Sequence, residues 1–322
     1  MHRNSRLALA IVGALFFAFA LPAAHADGEK VAVFSKNLVN PFWEAFRVGA
    51  NVAGKQLKLN IVHYTPTKPD DIGEQMSEVE NAIVSKPAAM VFVPVDMKAL
   101  GPAVAKVNAA NIPIVNAVDK SATGNFVTFV GSDDRTLAHA TGVALLKAMG
   151  GKGNVVIIEG TKGSETSQMR VAGFRDALKE FPNVKLLASQ PGNYVRLQAL
   201  NVMENLIQTY PQIDGVLAAN DAMALGALEA LSGAHRKALA VGINATPEAI
   251  DAIKRGTMLA SGDFNGFKMG CLATMAAVRA LQHQPVPKEI GIPAVVVDKT
   301  NYQPWDVPVA QRSCPKWSDF VH

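Results

Sequence analysis

Two aromatic rings and an amide lie side by side in one short segment near the start of the chain. Asn40, Phe42 and Trp43 follow an apolar run typical of a first strand, and Pro41 opens an amphipathic helix. In an open α/β sheet, this strand-to-helix turn faces the crevice in which ligands bind. A sugar presents apolar C–H faces and hydroxyl edges, which suit flat aromatic rings and amides respectively. The segment therefore predicts a binding site for a small polyhydroxylated molecule.

The signatures of common catalytic and nucleotide sites are missing from the sequence. Residues 34–38 stand where a dinucleotide enzyme would carry its glycine-rich turn, and neither a P-loop nor a Gly-x-Ser-x-Gly elbow occurs. Histidines at positions 63, 139, 235, 283 and 322 are scattered without a metal-ligand spacing. The carboxylate pair Asp133-Asp134 follows Ser132 at a predicted helix start, where capping explains it. We therefore expect neither an enzyme nor a metal or cofactor site.

The composition is that of a large folded chain. Of 322 residues, 49% are hydrophobic and 18% are charged, which allows a sizeable core in about two domains. The net charge of +4 falls to +2 when Arg3 and Arg6 are left out. A surface this close to neutral lacks the concentrated basic face that nucleic acids require. We expect no nucleic-acid partner.

The first 26 residues have the pattern of a secretory signal peptide. Arg3 and Arg6 precede an uncharged apolar run over residues 7–21, and Ala24-His25-Ala26 is a typical cleavage site. A membrane anchor is the alternative, but this run is too short because a bilayer span needs ~20 apolar residues. We expect cleavage after Ala26 and a mature chain in the bacterial periplasm.

Apolar runs and amphipathic segments alternate along the rest of the chain. Apolar runs bounded by Gly, Pro and Asn indicate strands, and apolar residues at helical spacing indicate helices. Continuous apolar strands between helices are typical of parallel sheets covered on both faces. Strands are expected at 31–35, 59–64, 89–93, 112–118, 126–130, 154–159, 184–189, 215–218 and 239–243, and helices at 41–57, 70–85, 100–110, 134–149, 165–181, 195–209, 221–231, 247–255 and from about 265. The pattern predicts an α/β fold with two such sheets.

Four segments together resemble the periplasmic sugar-binding proteins of the ribose-binding type. They read NPFW at 40–43, ASQP at 188–191, LNVM at 200–203 and NDAMALGA at 220–227, and the resemblance covers residues 30–299. It implies two similar lobes, each a parallel-sheet α/β sandwich, joined by three hinge crossovers and closing on a ligand. Lobe one is expected at 27–131 and 265–290, lobe two at 132–264 and 291–312, and a C-terminal tail at 313–322.

The resemblance also implies which residues line the ligand site. The first loop would supply an amide and two stacking rings, and later loops a carboxylate, a guanidinium, a further aromatic ring and further polar groups. The expected ligand-binding residues are Asn40, Phe42, Trp43, Asp119, Lys120, Arg170, Tyr194, Asn220, Asn244, Asp263 and Phe264. Alternative roles stay open, namely core packing for Phe42 and Trp43, a charged surface for Asp119-Lys120 and Arg170, and helix capping for Asn220.

Some of these positions depart from the ribose-binding pattern. Lys120 stands where the family often has Arg, and Asn244 stands where ribose binders have Asp. Phe264, or the adjacent Asp263, stands where they have Gln, and a first loop one residue longer brings residues 36–37 near the cleft. A site that leaves buried hydrogen-bonding groups unpaired rejects a ligand. We therefore expect a pentose, hexose or polyol other than ribose, with no need for an acidic sugar.

The two cysteines of the chain, Cys271 and Cys314, are expected to form a disulfide because an exported chain meets an oxidising compartment. The bridge would close a loop of about 43 residues and hold a Pro-rich tail on the first lobe. A buried free Cys271 and an unpaired Cys314 are the alternative.

The function that the resemblance implies is that of a monomeric receptor without a cofactor. Such a receptor captures a small sugar or polyol by hinge closure and delivers it to the membrane permease of an ABC importer. A sensor that presents its closed form to a chemoreceptor or sensor kinase is the first alternative. A transcription regulator of the lac-repressor type is disfavoured by the export signal, and an enzyme on the same fold by the missing acid–base residues.

Overall fold

Residues 28–321 are described by the computed structural model, and they form two six-stranded sheets flanked by helices. The predicted signal peptide at 1–26 lies outside the described residues. The α/β architecture predicted from the alternation of apolar runs is confirmed. Within residues 28–321, no helix combines the length and the apolar character that a bilayer span requires.

Lobe one is built on a fully parallel sheet with the strand order β2-β1-β3-β4-β5-β11. The strands are β1 (Lys30–Phe34), β2 (Asn60–Tyr64), β3 (Ala89–Phe92), β4 (Ile114–Ala117), β5 (Phe129–Gly131) and β11 (Glu289–Gly291). Helices α1 (Pro41–Gln56) and α9 (Gly266–Leu281) cover one face, and α2 (Ile72–Val84) and α3 (Gly101–Ala109) cover the other. Strand β1 lies between β2 and β3 and is buried on both faces, which explains its continuous apolar sequence.

Lobe two repeats this plan with the strand order β12-β10-β9-β8-β6-β7. The strands are β6 (Lys152–Glu159), β7 (Asn183–Pro191), β8 (Gly215–Ala218), β9 (Leu239–Ile243), β10 (Ala260–Asp263) and β12 (Val295–Asp298). The helices are α4 (Asp134–Ala148), α5 (Glu165–Lys179), α6 (Arg196–Thr209), α7 (Asp221–Gly233) and α8 (Pro247–Arg255). The sheet differs from an all-parallel one in its edge strand, because β12 pairs with β10 in the antiparallel direction.

The chain passes between the two sheets three times within the described residues, at 132–133, 264–265 and 292–294. Each passage is only two or three residues long, so the lobes are neighbours along one side. Loops after the carboxyl ends of both sets of parallel strands face each other next to these passages. This edge is where open α/β sheets bind ligands.

Helices α1 and α9 cross so closely that their contact requires glycine. A Cβ atom on Gly49 would lie 2.1 Å from the Phe267 carbonyl oxygen, and one on Gly270 would lie 2.0 Å from the Phe46 carbonyl oxygen. No side chain fits at either position without moving the opposite backbone. The start of α1, which carries the sequence from Asn40 onward, is thereby fixed against the helix that follows the second passage.

The chain after β12, residues 299–321, leaves lobe two and ends on lobe one, and we call this whole segment the C-terminal tail, which is longer than the tail predicted at 313–322. It contains three short 3-10 helices, Gln303–Trp305, Val309–Gln311 and Trp317–Asp319. Cys314 is bonded to Cys271 of α9, with the two Cα atoms 5.7 Å apart. The Trp317 ring lies 4.7 Å from the Arg279 guanidinium on the same helix.

Candidate functional site

A small cavity lies between the two lobes, at the carboxyl ends of the parallel strands. Its volume is about 20 Å³. Eight of the residues predicted from the sequence line it, namely Asn40, Phe42, Trp43, Asp119, Arg170, Tyr194, Asn244 and Phe264. Lys36, Asp70, Val118 and Thr166 complete the lining. Most of these residues follow the end of a strand or begin the next helix, so the fold itself gathers them from distant parts of the sequence.

The lobe-one side of the cavity carries a buried ion pair between Lys36 and Asp119. Lys36 Nζ lies 2.8 Å from Asp119 Oδ2, and the two side chains are 2% and 1% exposed. Burial alone lowers the pKa of Lys36, but the carboxylates of Asp119 and Asp70 outweigh it and hold this pKa above its ordinary value. Lys36 therefore stays charged at neutral pH and offers a cationic donor to the cavity.

A strained turn aims Asp119 into the cavity. Val118 has a φ of 65°, and the Asp119 amide donates a 2.8 Å hydrogen bond to the Ala117 carbonyl, which closes a γ-turn. A positive φ is unfavourable for a β-branched residue, and such strain is typical of ligand sites. The turn rotates the chain after β4, so the carboxylate points toward the opposite lobe.

Asp119 is also held by the opposite lobe. Its Oδ1 accepts hydrogen bonds from the Ser164 hydroxyl at 2.9 Å, the Thr166 amide at 3.1 Å and the Thr166 hydroxyl at 3.2 Å. These groups form the N-terminus of α5, whose dipole favours an anion. Thr161 donates to Asp70 at 2.9 Å across the same gap. The lobes are therefore closed on each other in this structure.

The lobe-two side carries a second buried ion pair, between Arg170 of α5 and Asp134 of α4. Arg170 Nε lies 2.6 Å from Asp134 Oδ1, and Nη1 donates to the Ala219 carbonyl at 2.7 Å. Both side chains are less than 5% exposed. Burial raises the pKa of Asp134 to about 6, although Arg170 opposes the shift. Asp134 thus orients the guanidinium beside the cavity from within the same lobe.

Aromatic rings from both sides of the cleft form the apolar walls. The Phe42 and Phe264 rings are stacked with centroids 4.7 Å apart and planes 9° apart, and Trp43 meets Phe42 edge-on at 4.8 Å. The Arg170 guanidinium lies 4.6 Å from the Phe264 ring centre. Phe42 and Trp43 also pack into the main core, so the site and core roles left open by the sequence coincide.

Tyr194 forms the remaining wall from a strained backbone position. Its φ is 61°, and a Cβ atom on Gly160 would lie 2.2 Å from the tyrosine ring, so only glycine fits beside it. The hydroxyl lies 3.2 Å from the Thr166 hydroxyl. Burial raises the pKa of Tyr194, so the phenol remains protonated at neutral pH. Its hydroxyl can donate to or accept from a ligand.

Two asparagines meet across the cleft. Asn40 caps α1 by accepting a 3.1 Å hydrogen bond from the Phe42 amide. Asn244, from the loop after β9, donates a long 3.5 Å hydrogen bond to the same Asn40 oxygen. The two amides therefore place both donor and acceptor groups at one end of the cavity.

Three residues expected in the site lie outside the cavity lining. Lys120 points away from it, 2.6 Å from Glu289 and 45% exposed, because the γ-turn directs Asp119 inward and the next residue outward. Asp263 accepts hydrogen bonds from the Asn265 amide at 2.8 Å and the Trp305 indole at 2.7 Å, which hold it behind Phe264. Asn220 is fully buried, where it caps α7 and donates to the Tyr194 carbonyl at 3.3 Å.

Some lining residues had no assigned role in the sequence. Lys36 was expected near the cleft, but its pairing with Asp119 was not anticipated. Asp70 and Thr166 were not singled out at all. The only available signal for Thr166 is its position in a Gly-Ser-Glu-Thr helix start at 163–166, which marks exposed backbone donors after a strand.

Comparisons with known proteins agree on one family. A family model described as a periplasmic binding protein domain matches residues 31–285. The ribose import binding protein of Haemophilus influenzae is 28% identical over 290 residues, which cover 90% of this chain and 98% of that protein. The D-apiose import binding protein of Paraburkholderia graminis is 31% identical over 262 residues, which cover 80% of this chain and 83% of that protein.

The solved structures give the same result. An ABC transporter periplasmic solute-binding protein from Actinobacillus succinogenes with bound D-allose matches with a TM-score of 0.82 at 32% identity. The match covers 86% of this chain and 99% of that structure. The two mostly parallel sheets with their flanking helices share the type I fold of these proteins. The chain belongs to the periplasmic binding protein family.

Proposed function

We propose that this protein is a receptor that binds one small sugar or polyol between its lobes and delivers it to an ABC importer. The family indicates a periplasmic location. The names of similar proteins support the ligand class, since they include ribose, D-apiose, xylitol and D-allose binders. The proposed lobes are 27–131 with 265–290 and 132–264 with 291–312.

One observation carries the proposal, namely the combination of apolar rings and charge-balanced polar groups in a single buried cavity. Phe42, Phe264 and Trp43 offer flat surfaces to C–H faces. Among the charged residues that line the cavity, Lys36 and Arg170 are positive, and the carboxylates of Asp70 and Asp119 balance them. A neutral ligand with several hydroxyls matches such a site, because each hydroxyl both donates and accepts hydrogen bonds.

Binding requires the lobes to move. A cavity of about 20 Å³ has room for roughly one water molecule, far less than a sugar ring needs. Phe42 comes from lobe one and Phe264 begins the second passage, so opening the lobes separates their stacked rings. In the proposed mechanism, a ligand enters the open cleft and its contacts with both lobes shift the equilibrium toward a closed form.

A thermal-shift screen over pentoses, hexoses, polyols and sugar acids tests the proposal. A true ligand at 100 times its Kd stabilises the folded protein by about 2.7 kcal/mol, and calorimetry then gives its affinity. Phe264→Ala should lose this response, whereas Leu239→Ala, on the far side of lobe two, should keep it. A response to sugar acids alone would contradict the charge-balanced site, and no response to any compound would contradict the ligand class.

The remaining parts of the proposal have their own tests. Mass spectrometry of the exported protein should find Asp27 at the N-terminus if residues 1–26 are a signal peptide. Light scattering should give the mass of a monomer. A ligand recovered unchanged after long incubation would support a binding role without catalysis. Uptake of the ligand should fail in a strain that lacks the gene.

A further inference from the structure

The C-terminal tail is anchored first to lobe two. Trp305 packs against the core of that lobe, and its indole nitrogen donates a 2.7 Å hydrogen bond to Asp263. Asp263 is the last residue of β10 and stands directly before Phe264, the ring that forms a wall of the ligand cavity. The tail therefore holds the chain where it enters the second passage between the lobes.

The same tail is then anchored to lobe one. Val309 and Cys314 pack with residues of α1 and α9, and Cys314 is bonded covalently to Cys271, which is fully buried. Since the tail starts in lobe two and is bonded into lobe one, it forms a fourth connection beside the three passages of the main chain. Unlike those passages, this connection can be broken by removing the disulfide, and the main chain between the two sheets then stays intact.

The segment between these anchors is short and is held in a compact form. Four peptide steps separate Trp305 from Val309, which allow at most about 14 Å between their Cα atoms when fully extended. Arg312 folds the segment back on itself, because Nη2 donates to the Trp305 carbonyl at 3.0 Å and to the Val307 carbonyl at 3.2 Å. Lengthening the segment breaks these hydrogen bonds.

We propose that the tail from Trp305 to Cys314 is a strap that sets how far the cleft opens, with Arg312 as the residue that keeps the strap short. The proposal rests on the lobe movement of the proposed function. Opening the lobes pulls the two anchors apart, so the strap must first give up the Arg312 hydrogen bonds and then the packing of Val309. The strap thereby favours the closed form before any ligand arrives.

The test measures the distance between the lobes without ligand. Leu38 and Leu197 are 63% and 64% exposed on opposite rims of the cleft. Spin labels on L38C and L197C report this distance by pulsed electron resonance. Arg312→Ala and the double variant C271A/C314A should each give a longer mean distance and a broader distribution than the labelled parent. Trp317→Ala is the matched control, because Trp317 lies beyond the disulfide and packs on lobe one, where its ring lies beside Arg279 of α9.

Several outcomes would overturn the strap. The first is an unchanged distance between the spin labels in both Arg312→Ala and C271A/C314A. The second is an increase in Trp317→Ala as large as that in Arg312→Ala, which would point to general loosening of the tail. Two free thiols in the denatured, unreduced protein would remove the covalent anchor. Thermal melts establish that each variant is folded. If C271A/C314A does not fold, Arg312→Ala still tests the strap, because this variant retains the disulfide. Because the readout needs no ligand, it separates failure of the strap from failure of the proposed sugar specificity.

Discussion

The two buried ion pairs beside the cavity are built in different ways. Arg170 and Asp134 both belong to lobe two, and their 2.6 Å contact does not depend on the other lobe. Lys36 and Asp119 both belong to lobe one, but Asp119 also takes three hydrogen bonds from the N-terminus of α5 in lobe two. The first pair therefore exists in open and closed forms alike, whereas the surroundings of the second pair change with closure.

This difference suggests that the two ion pairs have different roles in ligand binding. A pair that is complete within one lobe keeps its donor oriented before the ligand arrives, which lowers the cost of ordering on binding. A pair whose carboxylate also accepts hydrogen bonds from the opposite lobe changes its surroundings when the cleft closes. Substitutions in the two pairs should accordingly differ in whether they affect the resting protein or the response to ligand.

The largest effect is expected from Arg170→Met. This change leaves Asp134 buried without its cation, which destabilises a protein by about 3–5 kcal/mol. Urea unfolding followed by circular dichroism measures the loss in the ligand-free protein. The double variant D134L/R170M should recover most of it, because no charge then remains buried. Equal stability of the single variant and the parent would contradict a self-contained pair.

A buried carboxylate without a cation extends the comparison. Asp221 is fully buried and accepts hydrogen bonds from neutral donors, the Ser261 hydroxyl at 2.6 Å and the Thr246 amide at 2.8 Å. Burial raises the pKa of Asp221 from 3.8 to about 6. The folded state then binds the proton more tightly than the unfolded state, so this stabilisation is complete below pH 3.8 and is lost as the pH rises through 6.

The loss associated with Asp221 should reach about 2–3 kcal/mol between pH 4 and pH 7.5, since each unit of pKa difference corresponds to about 1.4 kcal/mol. Urea midpoints measured over this pH range test it. Asp221→Asn is the matched variant, because the amide keeps an acceptor for Thr246 and does not titrate. If the pH profiles of the variant and the parent are parallel, Asp221 does not contribute.

A smaller effect on the resting protein is expected from Lys36→Met. Asp119 keeps its hydrogen bonds from Ser164 and Thr166, so the free energy of unfolding should fall by only about 1–3 kcal/mol. The thermal shift caused by the ligand from the screen should disappear, since the cationic donor is lost from the cavity. A normal shift in Lys36→Met would show that the ligand does not use this lysine.

The smallest effect is expected from Lys120→Met, the same substitution on the other side of Asp119. Lys120 is 45% exposed and pairs with Glu289, which is 66% exposed. Substitutions at such exposed sites usually change stability by less than about 0.5 kcal/mol. Both the unfolding free energy and the ligand response should match those of the parent. A lost ligand response would mean that Lys120 turns inward when ligand binds.

Much of the fold was predictable because its strands are buried on both faces. Their continuous apolar runs identify strands such as β1, and Pro41, Pro247 and their caps identify helix starts. Strand β10 (Ala260–Asp263) was not predicted, because its sequence ASGD is not an apolar run although the strand is buried. The edge strands Glu289–Gly291 and Val295–Asp298 were not predicted either. They are three and four residues long and partly exposed, so only their pairing with a neighbouring strand makes them regular.

The site was predictable where residue type alone indicates a role. Asn40, Phe42 and Trp43 follow a strand and combine an amide with rings, and the structure brings all three to the cavity. The choice between Lys36 and Lys120 was not predictable, because it depends on the positive φ of Val118. Valine rarely adopts this conformation, and no residue type in the local sequence indicates the turn.

The glycine contact between α1 and α9 has a consequence for engineering new ligand preferences. Gly49 and Gly270 leave no slack between the two helices, so the rim residues at the start of α1 cannot be repositioned by sliding one helix along the other. A library that diversifies the cavity should exchange side chains such as Phe42 and Phe264 while both glycines stay fixed. Ligand selectivity in such a scaffold evolves by side-chain substitution at the ends of helices whose backbones stay fixed, and backbone remodelling contributes little.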